Sequence, residues 1–382
     1  MLNFFRPVYH ATLTALGTIF YDFPSQRLVV IGVTGTKGKS TTSEMLATIL
    51  EAAGKKVFLS STINFKTAGK EIPNLLKMTM PGRWLLQKML HEAINKKCTH
   101  AVIEMSSEGA KLWRHVGIEL DGLVVTNLSP EHIEAHGSFE KYRNAKLRLL
   151  TALNKSHKPH KFLILNKQDE ALNIFAEQAN SSVVVKDLAH TYTTPLPGQF
   201  NLDNAQTAAA VAESLGINKN IIQTALTNFT GAKGRVEQIK AGQDFEVVVD
   251  YAHTADSLEK FYQIFEGKRK ICVFGATGGG RDKWKRPEMG KVADKYCNEI
   301  ILTDDDSYDE APAQICQEIA TGIKNHKPKI IIDRREAIKT GLALAVASPH
   351  QNVAVLITGK GTDPFLMGPN GKKTTWSDTN IT

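Results

Sequence analysis

Short apolar runs rich in β-branched residues recur along the chain, and stretches with helical spacing separate them. In the first half the runs are "RLVVIGVTG", "KKVFLSS", "HAVIEMSS", "DGLVVTNLS" and "KFLILN". Their length and β-branched content read as buried strands. Residues 39–53 and 82–96 between them carry apolar positions at helical spacing. A second series begins near residue 245: "FEVVVDYAH", "KICVFGA", "EIILTDDD", "KIIIDRRE" and "VAVLITGKG". Strand–helix alternation predicts parallel sheets with helices on both faces, an α/β class. Between the two series, "TPLPGQFNLDNAQTAAAVAESLG" opens on a Pro/Gly loop and continues as an Ala-rich helix. The expected organisation is an N-terminal helical extension (1–27), a central domain (28–232) and a smaller, Rossmann-like doubly wound C-terminal domain (233–382).

The N-terminal stretch "MLNFFRPVYHATLTALGTIFY" is mildly apolar but holds Arg6, Pro7 and His10. A spanning helix needs about 20 clean apolar residues, so no transmembrane segment is expected. An amphipathic helix packed on the central domain is expected, with a membrane-surface contact as the sharper alternative.

The net charge of +8 suits an anionic ligand. No Lys/Arg stripe interleaves with aromatics, so nucleic acid is not an expected partner. Cys98, Cys272, Cys297 and Cys316 are scattered, without a C-x-x-C pair. That pattern argues against a disulfide scaffold or a zinc site and fits a reducing, cytoplasmic setting.

Chemistry enters at "VVIGVTGTKGKSTT" (29–42). A strand runs into a glycine-rich turn and then a helix, whose N-terminal N–H groups bind phosphate. The usual spelling is G-x-x-x-x-G-K-[ST]. Here the position of the first glycine is Val33; Gly32 comes one place too early and Gly35 too late. Gly35 and Gly38 would let the backbone approach the ligand, Lys39 would neutralise phosphate charge, and Ser40 or Thr41 would reach Mg²⁺. The central domain is therefore expected to be a P-loop ATPase domain with a parallel sheet.

Other candidates sit at strand ends, where ligands bind in open α/β sheets. Glu104 ends one apolar run and could hold a metal beside ATP phosphates. His132 and His136 are four apart, with Glu131 and Glu134 near them, and are metal ligands or loop decoration. Asp250 and His253 end another run. "FGATGGGRDKWKRPEMG" reads as a mobile anion-binding loop through Arg281, Lys283, Lys285 and Arg286.

Taken in order, these pieces resemble the Mur ligase superfamily and, within it, the MurE branch. The phosphate loop Gly35-Thr36-Lys37-Gly38-Lys39-Ser40-Thr41, following Thr34, matches that family's G-T-x-G-K-[ST]-[ST]. The likeness continues through "IEMSSEGA", "TNLSPEHIEAHGSFEKYRNAK", "LNKQDE", "PGQFNLDNAQTAAA", "GRVEQI", "DYAHTADSLE", "GATGGGRDKWKRPEMG", "TDDD", "DRREAI" and "GKG". The resemblance implies ATP-dependent amide ligation: a substrate carboxylate becomes an acyl phosphate and an amino acid displaces the phosphate. It implies ATP and two Mg²⁺ ions, with Ser40, Glu104, His132 and a carbamylated Lys146 around the metals. It places Asn166, Asp169, Asn204, Arg235 and Tyr251 near the nucleotide, together with Asp250 and His253. Ser106, Arg114, Arg281, Asp305, Asp306 and Asp363 fall on the substrate side.

Three departures shape the expected acceptor. About 28 residues precede the first strand, where MurE proteins carry a uridine-nucleotide domain. Either the acceptor lacks UDP or it is held differently, as a small-molecule or lipid-linked muropeptide-type precursor, with a partner protein as a further way of supplying the missing domain. The amino-acid-selecting D-N-P-R is replaced by Asp305-Asp306-Ser307-Tyr308, and "GKGHE" by "GKGTD", ending at Asp363. "SSHG" reads "SSEG", with Glu108 for histidine. A folylpolyglutamate synthase-like ligase and a nucleotide-binding subunit of a larger complex are the alternatives.

Overall fold

The computed structural model describes residues 2–82, 84–131, 133–280, 283–348 and 352–382, and side chains from residue 8 onward. Two compact units make up the chain, residues 1–230 and 231–382.

In the first unit the order is α1 (Leu2–Phe20), β1 (Val29–Thr34), α2 (Lys39–Ala52), β2 (Val57–Ser60), β3 (Asn64–Thr67), β4 (Lys70–Pro73) and α3 (Leu85–Asn95). Then come β5 (His100–Glu104), α4 (Ser107–Lys111), β6 (Gly122–Val125), α5 (Ile133–His136), α6 (Phe139–Lys155) and β7 (Lys161–Leu165). The unit ends with α7 (Asn173–Gln178), β8 (Val183–Lys186), α8 (Gln199–Ser214) and α9 (Lys219–Thr227).

Its eight strands form one sheet in the order β4-β3-β2-β5-β1-β6-β7-β8. From β2 to β8 all pairings are parallel. Side chains alternate across a strand. Val30, Phe58, Ala101, Leu123 and Leu163 therefore face one way, into a core with α3, α4 and α6. Ile31, Leu59, Val102, Val124 and Ile164 face the other way and are equally buried. Burial on both faces is why these strands read as continuous apolar runs.

The β3–β4 hairpin is antiparallel and departs from the expected strand–helix alternation. Its two-residue turn, Ala68-Gly69, has positive φ at both positions, as a tight hairpin requires.

The second unit contains β9 (Glu237–Ile239), β10 (Glu246–Asp250), α10 (Ala255–Gln263), β11 (Arg269–Phe274), α11 (Lys285–Tyr296) and β12 (Glu299–Leu302). It continues with α12 (Pro312–Ala320), β13 (Lys329–Ile330), α13 (Arg334–Val346), β14 (Val353–Thr358), β15 (Phe365–Met367) and β16 (Lys373–Thr375). The sheet order is β13-β12-β11-β14-β10-β9, parallel except at the β9 edge.

One cysteine expectation is corrected here. Cys272 and Cys297 form a disulfide with Cα atoms 6.1 Å apart. Cys272 lies opposite Ile300 in the β11–β12 ladder, and Cys297 sits just before that strand, so the parallel crossover brings them together. Cys98 and Cys316 are buried free thiols.

Candidate functional site

The site builds on the turn between β1 and α2. Gly38 caps α2 with φ of 80°, and Gly35 has φ of 141°, both in the region glycine favours. Sequence reasoning gave these glycines to ligand approach, but packing also demands them. A Cβ on Gly35 would meet Thr126 Oγ1 at 1.9 Å, and one on Gly38 would meet Asn204 Oδ1 at 2.3 Å.

The loop between them is tied down from β6 and α6. Lys37 N–H donates to Asn127 Oδ1 at 2.9 Å, and Asn127 Nδ2 donates back to the Lys37 carbonyl at 3.1 Å. Thr126 Oγ1 donates to the same carbonyl at 2.5 Å. The Thr36 hydroxyl accepts from Ser129 N–H at 3.0 Å and lies 2.9 Å from the Tyr142 hydroxyl. Lys37 Nζ pairs with Glu131 at 2.5 Å.

Two lysine amines converge on this loop. Lys39 Nζ donates to the carbonyls of Gly35 (3.1 Å) and Thr36 (2.9 Å). Lys146 Nζ, on α6 and 1% exposed, donates to the Gly35 carbonyl at 2.7 Å and stands 4.8 Å from the Tyr142 ring centre. Burial, reinforced by the Lys39 charge, holds the Lys146 ammonium well below the usual lysine range.

Beside the lysines, Glu104 ends β5, and adjacency in the sheet brings it level with Val33 of β1. The carboxylate is buried and saturated with donors. Oε2 accepts from Ser40 Oγ (3.0 Å) and Thr62 N–H (2.8 Å), and Oε1 accepts from Thr62 Oγ1 (2.9 Å). Thr62 is in turn fixed by Thr79 at 2.8 Å. A hydroxyl and a carboxylate, both oxygen donors at a helix N-terminus, fit a hard divalent ion bound beside phosphates. Further along α2, Glu44 is buried, and burial pushes its pKa up to about 7 while Lys66 and Asn64 pull the other way.

The other candidates of the first unit have these surroundings. Thr34 ends β1 and Thr41 is buried in α2. Asn204 accepts from Thr42 Oγ1 at 3.2 Å while sitting against Gly38. Ser106 caps α4, accepting from Gly109 N–H at 3.1 Å. Arg114 is buried and donates to the Met80 carbonyl at 2.9 Å. Asn166 and Asp169 form a turn beyond β7, receiving Gln168 N–H and Ala171 N–H. His136 is buried, 3.2 Å from Ser107 Oγ and edge-on to Tyr142. His132 and Arg281 lie outside the described residues.

In the second unit, Asp250 ends β10 and accepts from Val236 N–H (2.8 Å) and Ala252 N–H (2.6 Å). Arg235 stacks 4.0 Å from the Tyr251 ring centre, and His253 Nδ1 lies 2.8 Å from the Tyr251 carbonyl. Asp305, Asp306 and Asp363 surround one buried amine, Lys360 Nζ, at 3.9, 2.7 and 3.2 Å. Burial pushes Asp305 up to about 6 despite that amine. Three charges expected to face an anion are committed elsewhere. Arg286 is fully buried between Glu310 (3.0 Å) and Glu318 (2.6 Å), Lys283 pairs with Glu310, and Lys285 is buried.

Sequence reasoning missed Thr62, Tyr142 and Lys360. Lys360 stands inside the quoted "GKG" and Tyr142 inside the quoted "TNLSPEHIEAHGSFEKYRNAK"; Thr62 carries no local signal.

Residues 33–187 match the Mur ligase middle domain, and residues 234–361 the Mur ligase, glutamate ligase domain. The chain is 34% identical to the UDP-N-acetylmuramoyl-L-alanyl-D-glutamate--2,6-diaminopimelate ligase of Caldanaerobacter subterraneus subsp. tengcongensis, covering 93% of this chain and 77% of that protein. It is 35% identical to the UDP-N-acetylmuramyl-tripeptide synthetase of Roseiflexus sp., covering 93% and 78%. A solved UDP-N-acetylmuramoyl-L-alanyl-D-glutamate--2,6-diaminopimelate ligase superposes with a TM-score of 0.62 at 27% identity, covering 97% of this chain and 82% of that one. Mycobacterium tuberculosis folylpolyglutamate synthase shares the fold, with a TM-score of 0.75 at 15% identity, covering 92% and 93%.

Proposed function

Because the chain belongs to the Mur ligase family of ATP-dependent acid–amino acid ligases, we propose that it joins an amino acid to a UDP-linked muramoyl-peptide carboxylate in peptidoglycan precursor synthesis. The observation that carries this reading is the gathering of Lys39, Lys146, Ser40 and Glu104 around one glycine loop. The acceptor carboxylate attacks the γ-phosphorus of ATP, ADP leaves, and an acyl phosphate forms. The amino group of the amino acid then attacks the acyl carbon, phosphate leaves and a proton is released.

Loop N–H groups at the start of α2 bind phosphate oxygens, and Lys39 swings from its carbonyl partners to the β/γ-phosphates. Ser40 and Glu104 would hold a Mg²⁺ ion, and His132 with Lys146 would hold a second; such ions would neutralise charge where two anions must meet. The depressed basicity of Lys146 supports its carbamylation. The ammonium first gives up a proton; the neutral amine then attacks CO₂, the N–C bond forms, a second proton leaves, and what was a buried cation is a carbamate anion. Positioning of the two substrates supplies the remaining rate enhancement. Among the described residues no helix is long and apolar enough to cross a membrane, and we assign the enzyme to the cytoplasm, where ATP is made available.

The test is phosphate release with Mg²⁺-ATP, each amino acid in turn, and UDP-linked, lipid-linked or folate acceptors. Release is expected only with a UDP-linked muropeptide and an amino acid together. Release driven by folate alone would overturn this reading in favour of a folylpolyglutamate synthase-like ligase. No release with any acceptor, together with a co-purifying protein, would favour a subunit role.

A further inference from the structure

Helix α1 is built inside out. Its buried positions are His10 (8% exposed), Thr14 (0%), Gly17 and Thr18 (4%). Its outward positions are the apolar Val8 (59%), Tyr9 (50%), Leu16 (53%), Ile19 (63%) and Phe20 (74%), with one exposed threonine, Thr12, among them. The spacing puts each set on one face. The ordinary arrangement for a helix on a globular unit is the reverse.

Two of the inner face's polar groups are small threonine hydroxyls satisfied within the helix. Thr14 Oγ1 donates to the His10 carbonyl at 2.7 Å, and Thr18 Oγ1 to the Thr14 carbonyl at 2.9 Å. Gly17 lets the helix press against Trp84, where a Cβ would come within 2.4 Å of Trp84 Cβ. Trp84 itself is 52% exposed, and its ring lies 6.4 Å from that of Phe20, so it extends the outer apolar face.

We infer that this face seats the chain on an anionic bilayer surface, with α1 lying in the plane of the headgroups. Charge complementarity selects that occupant. No Asp or Glu precedes Asp22, the helix carries Arg6, and the whole chain is +8. Tyr9 and Trp84 flank the aliphatic residues, the arrangement of interfacial anchors. The helix is not among those long and apolar enough to span, so it lies on the membrane rather than through it. The inference holds for either linkage of the acceptor.

Flotation of the full chain with vesicles tests it, using phosphatidylglycerol–phosphatidylethanolamine against pure phosphatidylcholine. The wild-type chain is expected to float with the anionic vesicles and much less with the neutral ones. Leu16→Glu/Ile19→Glu/Phe20→Glu is expected to cut the bound fraction at least about tenfold, because the apolar face supplies the insertion energy. Its melting temperature is expected to stay unchanged, since all three side chains are solvent-facing. Val346→Glu, a substitution at an exposed apolar position in the second unit (74%), is expected to leave flotation unchanged. Absence of wild-type flotation, or equal flotation of the triple variant, would overturn the inference. So would a concentration-dependent dimer that the triple variant dissolves without any vesicle binding, which would make a second copy the occupant.

Discussion

The amines of Lys39 and Lys146 donate to the same oxygen, the carbonyl of Gly35, one from within the loop motif and the other from α6, far along the chain. Burial first, and the Lys39 charge after it, depress the basicity of Lys146, so this amine is ready to lose its proton.

Lys39→Ala and Lys146→Ala are each expected to lower kcat/KM for phosphate release by at least about a hundredfold, the scale for losing a preorganised electrostatic group. Lys146→Arg, which keeps charge but cannot form a carbamate, is expected to fail equally. A short carboxylic acid added to Lys146→Ala is expected to restore part of the rate. Native mass spectrometry should find one CO₂ on the wild-type chain and none on Lys146→Ala. Full activity of either alanine variant would sink the mechanism.

Ser40 and Glu104 share a hydrogen bond of 3.0 Å, and Thr62 holds the carboxylate in place. Ser40→Ala should therefore raise the Mg²⁺ concentration for half-maximal activity by roughly 10- to 100-fold, the usual cost of disturbing a metal's surroundings. Thr62→Val is expected to move the same midpoint in the same direction, through orientation of Glu104 alone. Metal titrations of ATP turnover check both.

Gly38→Ala combines a left-handed backbone with a contact against Asn204. It is expected to lower stability by about 2 kcal/mol or more, with the backbone alone accounting for roughly half. Asn204→Ala in the same chain should recover the contact but not the backbone share. Urea unfolding of the two single variants and the double variant separates the terms.

Glu44 titrates near 7 in the folded chain against 4.5 as its ordinary value. A raised carboxylate pKa means the folded state holds its proton longer than the unfolded chain. Stability is then full below about pH 4.5 and falls as pH rises towards about 7, where the penalty levels off. Glu44→Gln removes that slope. Its gain in stability at about pH 8 should exceed its gain at about pH 5 by on the order of 2 kcal/mol. An equal gain at both values, measured by thermal unfolding, would contradict the assignment.

Much of the parallel framework was legible because β-branched runs such as "HAVIE" are buried on both faces and announce themselves without help from distant residues. The phosphate loop was legible for a similar reason, since its glycines, lysine and hydroxyls are consecutive. What stayed hidden depends on neighbours far along the chain. Tyr142 reaches Thr36, and Thr62 reaches Glu104, only once the strands are ordered in the sheet. Arg286 looked like an anion binder because its two glutamates, Glu310 and Glu318, come from a later segment. The Cys272–Cys297 link is invisible for the same reason: the crossover sets the distance, not the spacing. The polarity of α1 was written in the sequence, but which face would be buried was not.

The ties from Thr126, Asn127, Ser129 and Tyr142 to residues 36–37 fix the loop's backbone before any nucleotide arrives. The entropy of ordering that loop is thereby lost during folding, at about 1–2 kcal/mol per residue, and does not have to be lost again on binding. Nucleotide affinity is then set partly by the hydroxyls and the amide that hold the loop itself.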